Sequence, residues 1–236
     1  FHERFVTVTD PGFAFWYPKE ADYGQDVLKR SDLDLPEHAT LLVSGANHTK
    51  IHGDLIAAWA TILRGIPSGF LLLYPFPPHV GPAKDTVIKR IREAFRKLGV
   101  TSDRILILSP LPGRASVVRL LSQMDLGLDS FPDPGVSTMV NAVEAELPTV
   151  TMAGKRLRNS QGACIMHSIG LDELITENKE EYITLAINLA TDNDRVLSLK
   201  NRLAKIKKPF FQSKSFSAKV SQVYRRLYQE LESSEI

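Results

Sequence analysis

The groups best suited to handle an anionic substrate fall on three short loops. In SGANHTKIHGD, Asn47, His48, Thr49 and Lys50 follow an apolar run and precede a helical pattern. A lysine on such a loop reaches a phosphate as a point charge; the plainer alternative is a solvated surface lysine. His48 and His52 flank it, but no second set of ligands at fixed spacing accompanies them, so no metal site is assigned. In SFPDPGVSTMVNAVEAE, Pro132, Pro134 and Gly135 force a turn, and Ser137 and Thr138 stand at the start of a helix. Free backbone N–H groups and the positive end of the helix dipole make such a start an anion site that would fit a diphosphate, and the two hydroxyls add hydrogen bonds. The alternative is that Ser137 is an ordinary N-cap. One turn further on, Asn141 shares the face of Ser137 and Thr138, where its amide would meet a ribose hydroxyl of a nucleotide lying across the helix start. In SPLPGRASVVR, a loop rich in Pro and Gly offers backbone groups to a base edge; Arg114 sits near it, with a solvated loop charge as its plainer reading.

These loops take their places from the elements around them. Apolar runs at Thr40 to Gly45, Gly69 to Tyr74, Arg104 to Leu108, Asp125 to Asp129 and Pro148 to Met152 are short and apolar on both faces, which suits buried parallel strands. Helical patterns alternate with them at Asp54 to Gly65, Lys84 to Leu98, Ala115 to Met124 and Ser137 to Glu146. A βαβ series with right-handed crossovers predicts an α/β fold, a Rossmann-like doubly wound parallel sheet whose ligand crevice lies beyond the carboxyl ends of the strands. After Met152 the strands are expected to stop, with helical patterns through LDELI, KEEYITLAINLATD, NDRVLSLKNRLAKI and FSAKVSQVYRRLYQEL, broken by Pro209. The expected divisions are a linker or domain tail over 1–36, the sheet domain over 37–210 and a return helix over 211–236.

Composition narrows the class further. With 43% hydrophobic and 24% charged residues and a net charge of +2, the chain is neither disordered nor a polyelectrolyte. The single cysteine, Cys164, forbids an intrachain disulfide and favours a reducing, cytoplasmic setting. The longest apolar run, Gly69 to Phe76, is far short of a membrane span. Basic residues crowd one helix (Lys84, Lys89, Arg90, Arg92, Arg96 and Lys97) and close another, but without interleaved aromatics they read as solvated faces rather than a nucleic-acid surface. The closing helix, with Val220, Val223, Tyr224 and Leu227 at helical spacing, is expected to pack on a core. A first residue that is Phe1 rather than Met, and the aromatic-rich opening FHERFVTVTDPGFAFWYPKE, read as a fragment of something longer.

From about Thr40 to Tyr228 the chain resembles the carboxyl-terminal half of the O-linked N-acetylglucosamine transferase family, which includes SPINDLY-like and bacterial cytoplasmic N-glycosyltransferase members. The residues that carry the resemblance are ANHTKIHGDLIAAWATILRGIPSGFLLLYPFP, RILILSPLPGR, MDLGLDSFPDPGVSTMVNAVEAELPTVTMAG and IGLDELITENKEEYITLAINLATD, in order. The resemblance implies one half of a GT-B glycosyltransferase, with a UDP-sugar as donor substrate, a protein side chain as acceptor and no metal or other cofactor. It places Lys50 at the donor diphosphate in a catalytic role, with Gly135, Ser137 and Thr138 at the phosphate-binding helix start. Pro112, Arg114, Val117 and Asn141 fall on the nucleoside side, and Asn47 sits where animal transferases carry a glutamine near the donor.

Three positions depart from the animal pattern: Val136 replaces a histidine before the hydroxyl pair, Asn141 an aspartate near the ribose, and Val117 a histidine that stacks by the uracil. These bear on donor affinity or identity rather than on fold. The expected activity is inverting transfer of GlcNAc or a hexose to a protein, with the acceptor groups on a separate amino-terminal half. The second reading is a degenerate, non-catalytic nucleotide-sugar-binding or scaffolding module.

Overall fold

A computed structural model of the chain describes residues 6–8, 14–17, 29–76, 84–206, 211 and 213–234. They fall in two compact units, one of Glu20–Ile206 and one combining Phe1–Lys19 with Lys207–Ile236.

In the larger unit six strands, β1 (Thr40–Ser44), β2 (Gly69–Leu73), β3 (Ile105–Ile107), β4 (Leu126–Leu128), β5 (Thr149–Met152) and β6 (Ile175–Thr176), make one sheet in the order β3-β2-β1-β4-β5-β6. Every neighbouring pair is parallel, with Leu42 of β1 opposite both Leu71 of β2 and Leu126 of β4. Leu41, Leu42, Leu71, Leu72 and Leu126 have no solvent exposure, as expected of strands covered on both faces. The connecting helices are α1 (Gly53–Gly65), α2 (Lys84–Lys97), α3 (Arg114–Leu121), α4 (Ser137–Glu144), α5 (Gln161–Ser168), α6 (Lys179–Ala190) and α7 (Asn193–Lys205). Trp59 of α1 and Tyr182 of α6 are both fully buried, with the Trp59 indole N–H donating to the Tyr182 hydroxyl at 3.4 Å. Each large apolar side chain sunk this way contributes about 1.5–3 kcal/mol by leaving water.

The sheet is the expected doubly wound one, but it does not end at Met152. β6 adds an edge, with Thr151 opposite Ile175. The sequence LDELI, expected to be helical, instead makes a single 3-10 turn over Asp172–Leu174 before entering that strand. Its apolar spacing is real, since Leu171 and Leu174 are buried, but it belongs to a turn sealing the end of α5. Helix α5, absent from the expected list, occupies the stretch between. Residues 29–36, read from the sequence as linker, are joined to this unit. Arg30 Nη1 donates to Asp125 Oδ2 at 3.0 Å, and Leu33 and Leu35 pack on the core around Leu41 and Leu120.

In the smaller unit, α8 (Ser213–Ser234) has a half-buried stripe at Phe216, Val220, Val223 and Leu227. Tyr224, expected on that packed face, is 70% exposed because it lies one residue, about 100° of helix, off the stripe. The Phe15 and Tyr17 rings stack at 6.0 Å, and Tyr17 meets the edge of Phe211. Pro209 lies outside the described residues. No helix among the described residues is long and apolar enough to cross a membrane.

Candidate functional site

The strand order reverses direction between β1 and β4, and two loops face each other across that point. After β1, Asn47 Oδ1 accepts from the Thr49 amide at 3.1 Å and the Thr49 hydroxyl at 3.0 Å, and the Lys50 amide donates to the Asn47 carbonyl at 2.8 Å. This Asx turn fixes the loop. It sends Lys50 across the switch point, where Nζ donates to the Pro134 carbonyl at 2.9 Å. Lys50 is therefore not a solvated lysine. Asn47 shapes the turn that aims it.

After β4 the chain passes Asp129, doubles back through Pro132–Gly135 and enters α4. The N-cap of α4 is Val136, whose side chain has no oxygen and makes no capping bond. Ser137 is thus the first helical residue rather than the cap, and it is exposed, while Thr138 beside it is half-buried. An uncapped start leaves the first amide groups and the positive dipole end for an external acceptor. Gly135 lies so close that a Cβ there would overlap the Thr138 hydroxyl, so only glycine allows the loop this approach.

The polar centre beneath these loops is Asp129, 6% exposed, which in the sequence stands only as the end of a strand. Its Oδ1 accepts from the Ser130 and Gly135 amides, both at 2.8 Å, and Oδ2 from the Thr151 hydroxyl at 2.8 Å. Its carbonyl accepts from the Tyr182 hydroxyl at 2.8 Å. Burial pushes the carboxyl up to about 6, against the pull of those three hydrogen bonds and of the Lys50 charge. Burial and the Asp129 charge together raise the Tyr74 hydroxyl in turn. The sequence marks only an acidic residue closing an apolar strand; its burial and its bond to Thr151 are set by the fold.

The third loop is arranged differently from expectation. Arg114 opens α3, and its Nε donates to Asn141 Oδ1 at 3.0 Å while the guanidinium pairs with Glu144. Arg114 is no solvated charge; it ties α3 to α4. Asn141, 9% exposed, turns its carbonyl oxygen to that arginine. Val117 packs on the cluster of Leu120, Leu121 and Met124, and Pro112 is exposed. His48 and His52 each face a backbone carbonyl, His52 Nε2 lying 2.8 Å from the Phe131 oxygen. Among the described residues no cluster of three or more His, Cys, Asp or Glu groups could hold a metal ion.

The structure thus brings Lys50, Gly135, Ser137 and Thr138 to one place and sets Arg114, Asn141 and Val117 together along α3 and α4. Beside Lys50 opens a cleft of about 500 Å³ lined by Thr49, His52, Phe131, Asp133 and Arg158. A cation beside a bare helix start that carries two hydroxyl residues can hold a diphosphate and stabilise negative charge growing on it.

A 3-2-1-4-5-6 parallel sheet with this crevice at its switch point defines the chain as a Rossmann-like α/β half of the GT-B kind. The chain belongs to glycosyl transferase family 41, whose profile matches residues 19–220. It is 27% identical over 186 residues to the tomato (Solanum lycopersicum) protein described as a probable UDP-N-acetylglucosamine–peptide N-acetylglucosaminyltransferase SPINDLY, covering 77% of this chain and 19% of that one. It is 23% identical over 209 residues to the Caenorhabditis elegans UDP-N-acetylglucosamine–peptide N-acetylglucosaminyltransferase, covering 88% of this chain and 18% of that one. Among solved structures, a mutant O-GlcNAc transferase from Thermobaculum terrenum aligns with a TM-score of 0.74 at 25% identity, over 86% of this chain and 39% of that one. The chain therefore spans about a fifth of the length of the curated relatives it matches.

Proposed function

We propose that this chain is the nucleotide-sugar-binding half of an inverting glycosyltransferase that moves GlcNAc or a hexose from a UDP-sugar to a protein side chain in the cytoplasm. The observation that carries the reading is Lys50 reaching across the switch point to Pro134, beside the uncapped start of α4 with Ser137 and Thr138. The names of the relatives agree with it: the tomato and nematode proteins are described as UDP-N-acetylglucosamine–peptide transferases.

In an inverting transfer the acceptor atom attacks the anomeric carbon from one face while UDP departs from the other carrying negative charge. The barrier falls if positive groups already stand where that charge develops. Lys50 contributes a full charge, the first amides of α4 contribute the dipole end, and the Ser137 and Thr138 hydroxyls donate hydrogen bonds to the outer oxygens. In this reading these groups, rather than a metal ion, stabilise the diphosphate. The nucleoside lies along α3 and α4 past Pro112 and Asn141, and the sugar projects toward the cleft beside Lys50. The acceptor groups and the opposite wall come from an amino-terminal GT-B half, so this chain alone binds donor without turning it over.

A second reading, a non-catalytic donor-binding or scaffolding module, is favoured by Arg114 and Val117. The first is engaged by Asn141 and Glu144, and the second packs on the core, so neither is free to grip a base. Calorimetric titration of UDP and UDP-N-acetylglucosamine into the chain, with Lys50→Ala as control, tests the donor site. Binding that disappears in the variant is the expected result; binding that survives unchanged removes Lys50 from the diphosphate. Turnover by the full-length protein then separates the enzyme from the module.

A further inference from the structure

Asp129 lies buried beneath the two loops of the site. Its two oxygens are already matched to three donors, two from the loop that enters α4 and one from β5. These donors favour the carboxylate, yet the same three positions can also hold the neutral acid: Oδ1 goes on accepting from Ser130 and Gly135, while a proton on Oδ2 donates to the Thr151 oxygen, because a hydroxyl both gives and takes. The loop is therefore built to keep its shape whether this carboxyl is charged or not. What changes between the two forms is the charge directly under the helix start.

The charged and titratable surroundings set the sign of that change. Lys50, from the loop after β1, is the nearby charge that favours the anion. Tyr74, at the end of β2, and Tyr182, from α6, are buried hydroxyls pushed upward partly by Asp129 itself. From β5 comes Thr151, and from α5 the backbone at Gly162, where a Cβ would overlap Asp129 Oδ2. His52 faces the Phe131 carbonyl two residues along. Between Ser44, Tyr74, Asp129, Thr138 and Thr149 lies a cavity of about 20 Å³, enough for one water. The Ser44 hydroxyl, 2% exposed, is without a hydrogen-bond partner among the described residues.

An anion placed on α4 withdraws the Lys50 charge from Asp129 and adds negative charge of its own, at the end of a helix whose preceding amide, Gly135, is already bonded to Asp129. We propose that Asp129 takes up a proton when a diphosphate seats on the start of α4, so that donor binding and neutralisation of this carboxyl reinforce each other. The inference rests on the diphosphate reading of that helix start. It makes Asp129 a positioning residue rather than a catalytic one. Its carboxyl, held at about 6 without donor, already lies close enough to neutrality for a bound anion to tip it.

The test is calorimetric titration of UDP-N-acetylglucosamine into the chain, in buffers of different ionisation enthalpy, from about pH 6 to 8. This donor is chosen because its diphosphate is esterified at both ends and lacks the second phosphate ionisation near pH 6 that free UDP has. Wild type is expected to take up about half a proton or more per donor near pH 7, and to bind about tenfold more tightly at pH 6 than at pH 8. Asp129→Asn, which keeps the oxygen facing Ser130 and Gly135 and offers an amide to Thr151, is expected to take up almost none, to lose the slope and to bind at pH 8 no more weakly than wild type. His52 is present in both, so a slope common to both belongs elsewhere. Should the asparagine variant not fold, Thr151→Val provides the second route: losing the hydroxyl that steadies the carboxylate is expected to shift the wild-type profile to higher pH. Equal proton uptake in wild type and Asp129→Asn, or an unmoved profile in Thr151→Val, overturns the inference while leaving the donor site in place. Absence of donor binding by wild type removes the donor reading itself, and this inference with it.

Discussion

The two rims of the larger unit carry similar residue types and use them in opposite ways. At the rim where the strands begin, charged side chains close the chain on itself. Arg104 donates to the carbonyls of Leu63, Ile66 and Gly69 at 2.6–2.8 Å, Lys200 to that of Met124 at 2.7 Å, and Asp125 accepts from the Leu41 amide at 2.7 Å and from Arg30. Burial lowers both Arg104 and Lys200 from their ordinary values, the cost of placing charge there, which the carbonyl contacts offset. At the rim where the strands end, Lys50 has a single carbonyl contact, Ser137 is exposed and α4 starts without a side-chain cap. One rim has these charged groups matched internally by several partners; at the other, Lys50 has one carbonyl contact and the helix start has no side-chain cap. A charge is thus informative about function only once its partners are counted.

The contrast is broken most directly at Lys50. In the full-length protein Lys50→Ala is expected to lower transfer about a hundredfold, on the order of 3 kcal/mol of leaving-group stabilisation, while the thermal unfolding midpoint holds. A fall in the midpoint with transfer retained would make Lys50 a structural residue of the first kind. Gly135→Ala comes next. Its Cβ would overlap the Thr138 hydroxyl and push the loop off α4, so UDP affinity is expected to fall about thirtyfold by calorimetry. Arg104→Ala is the converse experiment at the other rim. Freeing three carbonyls is expected to cost about 2–3 kcal/mol in denaturant unfolding and to leave UDP affinity within about twofold.

Sequence patterns carried the sheet well where strands were long enough to show an apolar run flanked by turn residues. All five expected strands are present within a residue or two of their expected ends, as are the helices between them except α3, which stops at Leu121, three residues before its expected end at Met124. β6 was illegible because two residues carry no period, and the leucines before it imitate a helical face. The loop lysine and the helix start with its hydroxyls could be picked out because glycine, proline and hydroxyl residues mark such a turn locally. Asp129 could not be judged from its neighbours in sequence: what makes it unusual is Thr151, 22 residues away, and the Gly135 amide folded back upon it. Arg114 shows the same limit in reverse, since a guanidinium on a loop looks available until Glu144 and Asn141 are seen beside it.

Arg114 also sharpens the contrast, because it stands at the rim where the strands end with its hydrogen bonds arranged as at the rim where they begin. If partners rather than position decide a residue's role, Arg114→Ala should behave like the rim where the strands begin. Losing the bond to Asn141 and the pair with Glu144 loosens α3 against α4, and leaves a partly buried carboxylate without its cation. The expected result is a stability loss of about 1–2 kcal/mol in urea unfolding, with UDP affinity changed by no more than about threefold. A larger drop in affinity at unchanged stability would show that the guanidinium exchanges Glu144 for the nucleotide when donor arrives. Arg114→Lys distinguishes the two cases, since an ammonium keeps a charge for a phosphate but cannot reproduce the paired contact to Asn141 and Glu144. Affinity retained with stability lost places Arg114 among the residues that hold α3 and α4 together.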